Sequence, residues 1–191
     1  MAPMSIQDVL QRITSALDQA GIAYMLSGSF ASAYYGAARS TQDIDFVIHA
    51  NSKQLRSFIE ALPVSEYYAD LDSALEAHQR QSLFNVIDQA TGWKIDLIIR
   101  KSRPYSQEEL GRRQRVNLHG VSLFMTTAED AVISKLEWAK LAQSRRQIED
   151  AAAIFRARWD ALDHSYLEKW IAELDLKKEW DDVQRLAGIP G

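Results

Sequence analysis

The chain has 191 residues, of which 47% are hydrophobic and 25% charged, so it has enough apolar side chains for a globular core and is not a disordered polymer. Lys and Arg number 22 against 26 Asp and Glu, and the net charge of -4 excludes a general positive field that would hold nucleic acid or an anionic membrane. The absence of cysteine excludes disulfides, thiol catalysis and cysteine-ligated zinc, and it favours a cytoplasmic location.

The amino-terminal residues, Met1–Ser5, have neither the basic start nor the apolar run of a signal peptide, so we expect mature sequence. No stretch of the chain approaches the roughly 20 apolar residues of a membrane-spanning helix, so we expect no membrane insertion. From Ser5 onward, apolar residues recur at helical spacing until Gly21, which predicts an amphipathic helix.

The apolar patterns of the first 125 residues predict alternating helices and strands. After the first helix, in chain order, they predict a strand over Ile22–Leu26, a turn at Ser27–Ser29 into a helix, a strand over Asp43–His49, a helix from Asn51, a short helix over 73–77, strands over Ser82–Asp88 and Trp93–Ile99, a helix over 106–114 and two short strands within Val116–Met125. Gly92 lies in the short connection between two of these strands, which are predicted to form a hairpin.

The pattern changes at Thr126. The segment Thr127–Asp130 is typical of a capped helix start, and the apolar spacing beyond it predicts three or four further helices. The sequence therefore predicts an α/β (α+β) core over residues 1–125 and a C-terminal helical subdomain over residues 126–191.

Three carboxylates are predicted to share one face of the sheet. Asp43 and Asp45 are two residues apart on a strand, so their side chains leave the same face with Cα atoms about 7 Å apart. In the later strand, Asp96 leaves the face opposite to its apolar neighbours and shares that face with Lys94. If the two strands are neighbours, the carboxylates converge, and such hard oxygen ligands suit one or two Mg²⁺ or Mn²⁺ ions.

A turn before these strands is suited to phosphate. Ser27-Gly28-Ser29 stands between a strand and a helix, where glycine permits close backbone approach and the first amides of the helix favour an anion. Divalent ions with open coordination positions commonly serve phosphate chemistry. A lone Asp-x-Asp or Gly-Ser turn is more often structural, but the turn, the pair Asp43 and Asp45, and Asp96 together favour a nucleotide site.

These residues resemble a known superfamily. Gly28-Ser29, the pattern Arg39-x-Thr41-x-Asp43-x-Asp45 and the strand Lys94–Leu97 resemble the DNA-polymerase-β-like nucleotidyltransferases, most of all small prokaryotic members related to abortive-infection and toxin-antitoxin proteins. The resemblance continues through the helical half of the chain. It implies a nucleotidyltransferase-like mixed β-sheet flanked by helices.

The resemblance also implies roles for the residues that match the superfamily pattern. Gly28 and Ser29 would hold the β- and γ-phosphates of a nucleotide. Asp43 and Asp45 would bind both metal ions, and Asp96 would complete the catalytic metal site and help activate the acceptor hydroxyl.

Two further residues precede the metal pair within that pattern, and another lies in the helical half of the chain. Arg39 and Thr41 would contact phosphate or organise the loop before the metal pair, and Lys135 resembles a helical lysine near the triphosphate. Glu149-Asp150 stands where toxin-type relatives often carry a Lys-Asp pair, so a catalytic role for Asp150 does not follow.

The resemblance implies a Mg²⁺-dependent transfer of a nucleoside monophosphate from an NTP to a hydroxyl acceptor, with release of pyrophosphate. The acceptor stays open among a tRNA or other RNA, a protein and a small molecule. The alternative is a non-catalytic nucleotide-binding or antitoxin-like module that contacts a partner protein through its helical C-terminal region. RNA binding without chemistry would depend on the basic residues between Arg100 and Arg115, which are more typical of a solvated helix face.

Overall fold

The computed structural model describes residues 5–188; residues 1–4, part of the segment expected to be mature sequence, and residues 189–191 lie outside the described residues. The helices within that range are α1 (Ile6–Gln19), α2 (Gly28–Tyr35), α3 (Ser52–Ala61), α4 (Leu71–Arg80), α5 (Pro104–Arg112), α6 (Ala128–Ala142), α7 (Arg145–Arg158), α8 (His164–Glu173) and α9 (Lys177–Ala187). The strands are β1 (Ala23–Leu26), β2 (Asp43–His49), β3 (Tyr67–Ala69), β4 (Leu83–Asp88), β5 (Lys94–Ile99), β6 (Gln114–Leu118) and β7 (Val121–Met125).

The chain forms two compact units. Among the described residues, the sheet unit consists of 5–27 together with Thr41–Met125, and the helical unit consists of Gly28–Ser40 together with 126–188. The division into 1–125 and 126–191 that the sequence predicts stays a prediction and differs from these units in where residues 28–40 belong.

The strands of the sheet unit form one mixed sheet in the order β3-β4-β5-β2-β1-β7-β6. The pairs β2–β5 and β1–β7 are parallel, whereas the other neighbours are antiparallel. The hairpin of β4 and β5 that the sequence predicts is present. The α/β fold with a mixed sheet is thus confirmed, and the sheet order brings β2 beside β5 although 44 residues lie between the end of one and the start of the other.

The side chains of the central strands β2 and β5 alternate strictly between a buried face and a more exposed one. Ile44, Phe46 and Ile48 on β2 and Ile95 and Leu97 on β5 are buried with essentially no exposed surface. Helix α1 packs against β1 and β7, and α4 packs against β4. Burial of this apolar face drives the register of the strands, because a shift by one residue would turn it toward water.

The helix starts follow their sequence signals. Ser5 and Asn51 each form a capping box at the first turn of α1 and α3, and Thr127 accepts a hydrogen bond from the Asp130 amide at the start of α6. Two elements differ from expectation: α4 is a full ten-residue helix where the sequence indicates only residues 73–77, and the edge strand β3 is not predicted at all.

The helical unit contains α2 and α6 to α9. Helix α2 packs against α6 and α7, and α9 also packs on α7. At the centre of this unit the ring of Phe155 lies edge-on to Trp180 and Trp159, with centroids 4.7 Å and 4.9 Å away. Between Thr126 and residue 188 the structure has four α-helices, at the upper end of the expected number. In the described range, no helix combines the length and apolar composition needed to cross a membrane.

Candidate functional site

The three predicted carboxylates lie on one face of the sheet unit. Asp45 on β2 pairs in register with Asp96 on the parallel strand β5, and Asp43 pairs with Lys94. Paired residues of neighbouring strands point to the same face, and Asp43 and Asp45 share that face because they are two apart. We refer to Asp43, Asp45 and Asp96 with Lys94 as the acidic face.

Lys94 is ion-paired within the acidic face. Its Nζ lies 3.2 Å from Oδ2 of Asp96 and 3.6 Å from Oδ1 of Asp43. Burial disfavours the charged ammonium, but the hydrogen bonds and charges of Asp96 and Asp43 outweigh that cost and raise the pKa of Lys94. The lysine therefore stays charged near neutral pH and offsets part of the negative charge of this face.

Asn85 on β4 is a further polar residue beside the acidic face. It lies directly opposite Asp96 in the antiparallel pairing of β4 with β5, and its Nδ2 donates a 2.5 Å hydrogen bond to Oδ1 of Asp96. The side chain of Asp96 is only 13% exposed. The sequence analysis missed Asn85, although its position on the exposed face of an alternating strand is a usable signal.

The donor chemistry of the acidic face fits a hard divalent ion, because three carboxylates on one face supply the oxygen ligands that Mg²⁺ and Mn²⁺ prefer. Among residues 5–188, however, no three His, Asp or Glu side chains converge closely enough to form a finished metal site. The ammonium of Lys94 lies between Asp43 and Asp96 instead. The backbone register therefore suits a metal, while a side-chain rearrangement at Lys94 is needed for one to bind.

The loop segments next to the acidic face are fixed by short-range hydrogen bonds. The Ser27 amide donates to the Asp45 carbonyl at 2.8 Å, which extends the β1–β2 pairing by one residue. Thr41 Oγ1 accepts from the Asp43 amide and donates to the Asp43 carbonyl, both at 3.2 Å. The resemblance implies either phosphate contact or loop organisation for Thr41. These two hydrogen bonds agree with organisation of the loop before β2.

Gly28 and Ser29 begin α2 in the helical unit. Gly28 has a φ of +59°, a left-handed conformation that favours glycine over residues with a Cβ. Ser29 is buried, and Nη2 of Arg39 donates a 2.6 Å hydrogen bond to its Oγ. The turn predicted from the sequence is thus the first turn of the helix itself, and Arg39 is bound to it.

Two cations share one carboxylate in the helical unit. Lys135 Nζ donates to Oδ2 of Asp150 at 2.9 Å, and Nε of Arg39 lies 3.6 Å from the same oxygen. The Lys135 side chain is only 7% exposed. Sequence reasoning places Lys135 and Arg39 near phosphate but misses Asp150 as their common partner.

This cationic cluster, defined by Ser29, Arg39, Lys135 and Asp150, carries an excess of one positive charge. Nε and Nη1 of Arg39 are buried and have no hydrogen-bond partner in the part of the chain that the structure describes. Donors of this kind are costly to bury unless an acceptor reaches them. The arrangement suits a phosphate or another anion.

The basic residues after β5 have structural contacts of their own. The guanidinium groups of Arg113 and Arg115 lie over the ring of Phe124, 4.8 Å and 4.4 Å from its centroid. Arg113 also donates to the Leu110 carbonyl at 2.7 Å. These contacts give two of the six basic residues a packing role.

A family model for a nucleotidyltransferase of unknown function, DUF6036, matches residues 4–186. The match covers nearly the whole chain, including every residue of the acidic face and of the cationic cluster. No protein with a curated description matches the sequence.

Two solved structures of ANT(2")-Ia share the fold of this chain. The crystal structure of ANT(2")-Ia in complex with adenylyl-2"-tobramycin has a TM-score of 0.53 at 10% identity and covers 90% of this chain and 97% of that one. The solution structure of the antibiotic-resistance factor ANT(2")-Ia has a TM-score of 0.51 at 12% identity, with 87% and 94% covered. An antigenic nucleotidyltransferase-like protein from Paracoccidioides brasiliensis has a TM-score of 0.49 at 16% identity, with 96% and 95% covered. At these identities the first two matches establish a shared fold.

Proposed function

Because the chain belongs to the nucleotidyltransferase family DUF6036, we propose that it transfers a nucleoside monophosphate from an NTP to a hydroxyl acceptor and releases pyrophosphate. One observation carries the proposal: Asp43, Asp45 and Asp96 lie on one face of the sheet, with Asp45 directly opposite Asp96. A cytoplasmic location, where NTPs are available, agrees with the absence of cysteine.

We assign the metal ligands to the three carboxylates of the acidic face. Asp43 and Asp45 would hold both ions, and Asp96 would complete one of the sites. Bound Mg²⁺ or Mn²⁺ supplies charge neutralisation of the triphosphate and lowers the pKa of an attacking hydroxyl. The oxygen-only donor set supports these ions over zinc, which prefers nitrogen and sulfur ligands.

In the transfer step, the acceptor oxygen attacks the α-phosphorus of the NTP and forms a new P–O bond. The bond from the α-phosphorus to the bridging oxygen of the β-phosphate breaks, and pyrophosphate leaves in line with the attack. The acceptor gives up its hydroxyl proton, and Asp96 is the carboxylate we assign to receive it. Asn85 donates to Oδ1 of Asp96, and Oδ2 faces the Lys94 ammonium, so Oδ2 can take the proton only when Lys94 moves away.

Within the helical unit, we assign nucleotide phosphate binding to Gly28, Ser29, Arg39 and Lys135. The amides of Gly28 and Ser29 at the start of α2 favour an anion, and Arg39 and Lys135 supply positive charge.

Calorimetric titration of ATP, CTP, GTP and UTP tests the proposal, in buffer with Mg²⁺ and in buffer with EDTA. We expect at least one NTP to bind only with the metal and Asp45→Asn to lose that binding. Asp18→Asn, an exposed carboxylate of α1, is the matched control and should bind like wild type. Absence of binding for all four NTPs, with Mg²⁺ and with Mn²⁺, contradicts the proposal.

The acceptor class is tested with the preferred NTP labelled at the α-phosphate. Total tRNA, the protein itself and a hydroxyl-rich small molecule such as tobramycin represent the three classes. We expect label to transfer to one of them with release of pyrophosphate, and Asp96→Asn to abolish the transfer. Binding without transfer to any of the three favours the non-catalytic alternative.

A partner-binding module without catalysis is the second candidate. Leu141 on α6 is 73% exposed and Trp138 on the same helix is half exposed, which is typical of a helix face that contacts another protein. Co-purification of a stable partner that Trp138→Ser and Leu141→Ser release, in a chain that binds no NTP, supports this candidate.

A further inference from the structure

Lys94 occupies the position between two carboxylates that a divalent ion would take. It opens β5, two residues before Asp96, and its register partner on β2 is Asp43. The ammonium therefore reaches both carboxylates from one place, at 3.2 Å and 3.6 Å. The Lys94 ammonium is thus ion-paired with two of the three carboxylates assigned as metal ligands.

The oxygens of Asp96 are both engaged by donors. Oδ2 faces the Lys94 ammonium, and Oδ1 accepts the hydrogen bond of Asn85. A magnesium ion needs a carboxylate oxygen at about 2.0–2.1 Å, and an ammonium cannot stay in contact with that oxygen against the charge of the ion. Metal binding at Asp96 and the ion pair with Lys94 therefore compete.

We propose that Lys94 is an internal counter-ion of the metal site, which holds the acidic face together without metal and leaves Asp43 and Asp96 when a divalent ion binds. The inference rests on the proposed function for the assignment of the metal ligands. Lys94 thereby sets the metal affinity of the site without being a ligand or a catalytic residue.

The exposure of Lys94 permits this movement. Its side chain is 43% exposed, and its four-carbon stem can swing the ammonium into solvent without opening the buried face of the sheet. A fully buried lysine would carry a large penalty for losing its carboxylates, whereas this one regains water. Displacement is therefore compatible with an unchanged fold.

Titration of Mn²⁺ alone, without nucleotide, tests the inference through the electron paramagnetic resonance signal of free Mn²⁺. We expect Lys94→Met to bind Mn²⁺ about tenfold more tightly than wild type, because a positive charge is removed next to the ion. Lys94→Arg keeps the charge and should bind close to wild type. Lys101→Met, which removes an exposed lysine just after β5, is the control and should not differ from wild type.

Thermal unfolding supplies a second measurement that needs no activity. Without metal, Lys94→Met should melt below wild type, since the three carboxylates lose their counter-ion. Mn²⁺ should then raise its melting temperature by more than it raises that of wild type. Lys94→Gln repeats the test with a polar side chain in case the methionine variant fails to fold.

The outcomes separate the inference from the function it rests on. Equal or weaker Mn²⁺ binding by both Lys94→Met and Lys94→Gln overturns the role of Lys94, even if NTP transfer is found. Tighter binding in these variants that Asp45→Asn removes supports it, even if no acceptor is ever labelled. Absence of Mn²⁺ binding in every variant overturns both.

Discussion

Asp45 and Asp96 lie directly opposite each other on the parallel strands β2 and β5, and both side chains leave the face opposite to the buried Ile44 and Ile95. The two carboxylates are separated by 50 residues in the chain, yet the register makes them nearest neighbours across the strands. The pairing depends on the apolar side chains of the other face, since those fix which residue of β2 meets which residue of β5.

Substitution of Asn85 tests whether Asp96 must be held in one orientation. We expect Asn85→Ala to weaken metal-dependent NTP binding by roughly 10- to 100-fold, as losses of groups that orient metal ligands commonly do. Leu83→Ala, at an exposed position on the same face of β4, is the control for general damage to the strand. Calorimetric titration measures both, and equal binding by the two variants rules out an orienting role for Asn85.

Removal of the Asp150 charge tests the cationic cluster. We expect Asp150→Asn to lower the free energy of unfolding by about 3 kcal/mol, because it leaves the buried Lys135 ammonium without its carboxylate. Urea unfolding measures the change. Asp175→Asn breaks an exposed pair with Lys140 in the same unit and should have almost no effect. Equal midpoints for the two variants contradict the expected cost.

Gly36 should not tolerate a side chain. Its φ is +128°, and an added Cβ would lie 2.6 Å from the Cβ of Ala157. We therefore expect Gly36→Ala to lower the free energy of unfolding by about 2–4 kcal/mol through strain and overpacking. Gly111→Ala, in an ordinary helical conformation of α5 with open space around it, should instead be neutral or stabilising by up to about 1 kcal/mol. A Gly36→Ala variant as stable as wild type contradicts the prediction.

Tyr166 supports a buried carboxylate of the helical unit. Its hydroxyl donates a 2.6 Å hydrogen bond to Oδ1 of Asp130, which is fully buried and also accepts from Thr127. We expect Tyr166→Phe to lower the free energy of unfolding by about 1–3 kcal/mol in urea, since a buried acceptor loses a donor. Tyr34→Phe, a more exposed tyrosine of the same unit, should stay close to wild type.

We expect His49 to make the free energy of unfolding decrease as the pH falls below neutrality. Burial and the charges of Arg100 and His78 lower the pKa of His49 below its usual 6.5, so the unfolded chain takes up this proton more readily than the folded one. The contribution of His49 to the free energy of unfolding is fully present above pH 6.5 and is lost as the pH falls toward the pKa of His49 in the folded state. Melting temperatures from pH 7.5 to 5.5 should fall less in His49→Gln than in wild type, and parallel curves contradict the prediction.

The sequence alone predicted much of the local structure. The alternation of apolar and polar residues within β2 and β5 predicts which residues face the core. It therefore assigns Asp43, Asp45 and Asp96 to the opposite face of their strands. The membership in a nucleotidyltransferase family is confirmed. The metal, the nucleotide roles of individual residues and the link to toxin-antitoxin proteins stay predictions.

Other elements lacked a local signal. The strand β3 has only three residues, too few for a pattern, and exists because it pairs with β4 at the edge of the sheet. Asn85 lies opposite Asp96 only because of the register of β4 against β5. Asp150 became the partner of Lys135 only through the packing of α7 on α6.

Which side chains share a face follows from the local sequence, because the backbone fixes strand and helix periodicities over a few residues. The tertiary fold places β2 beside β5, brings Asp45 opposite Asp96 and pairs the Lys94 ammonium with Asp43 and Asp96. Those relationships come from burial of one apolar sheet face. The free energy of this burial is a sum over residues far apart in the chain, so no short segment determines it.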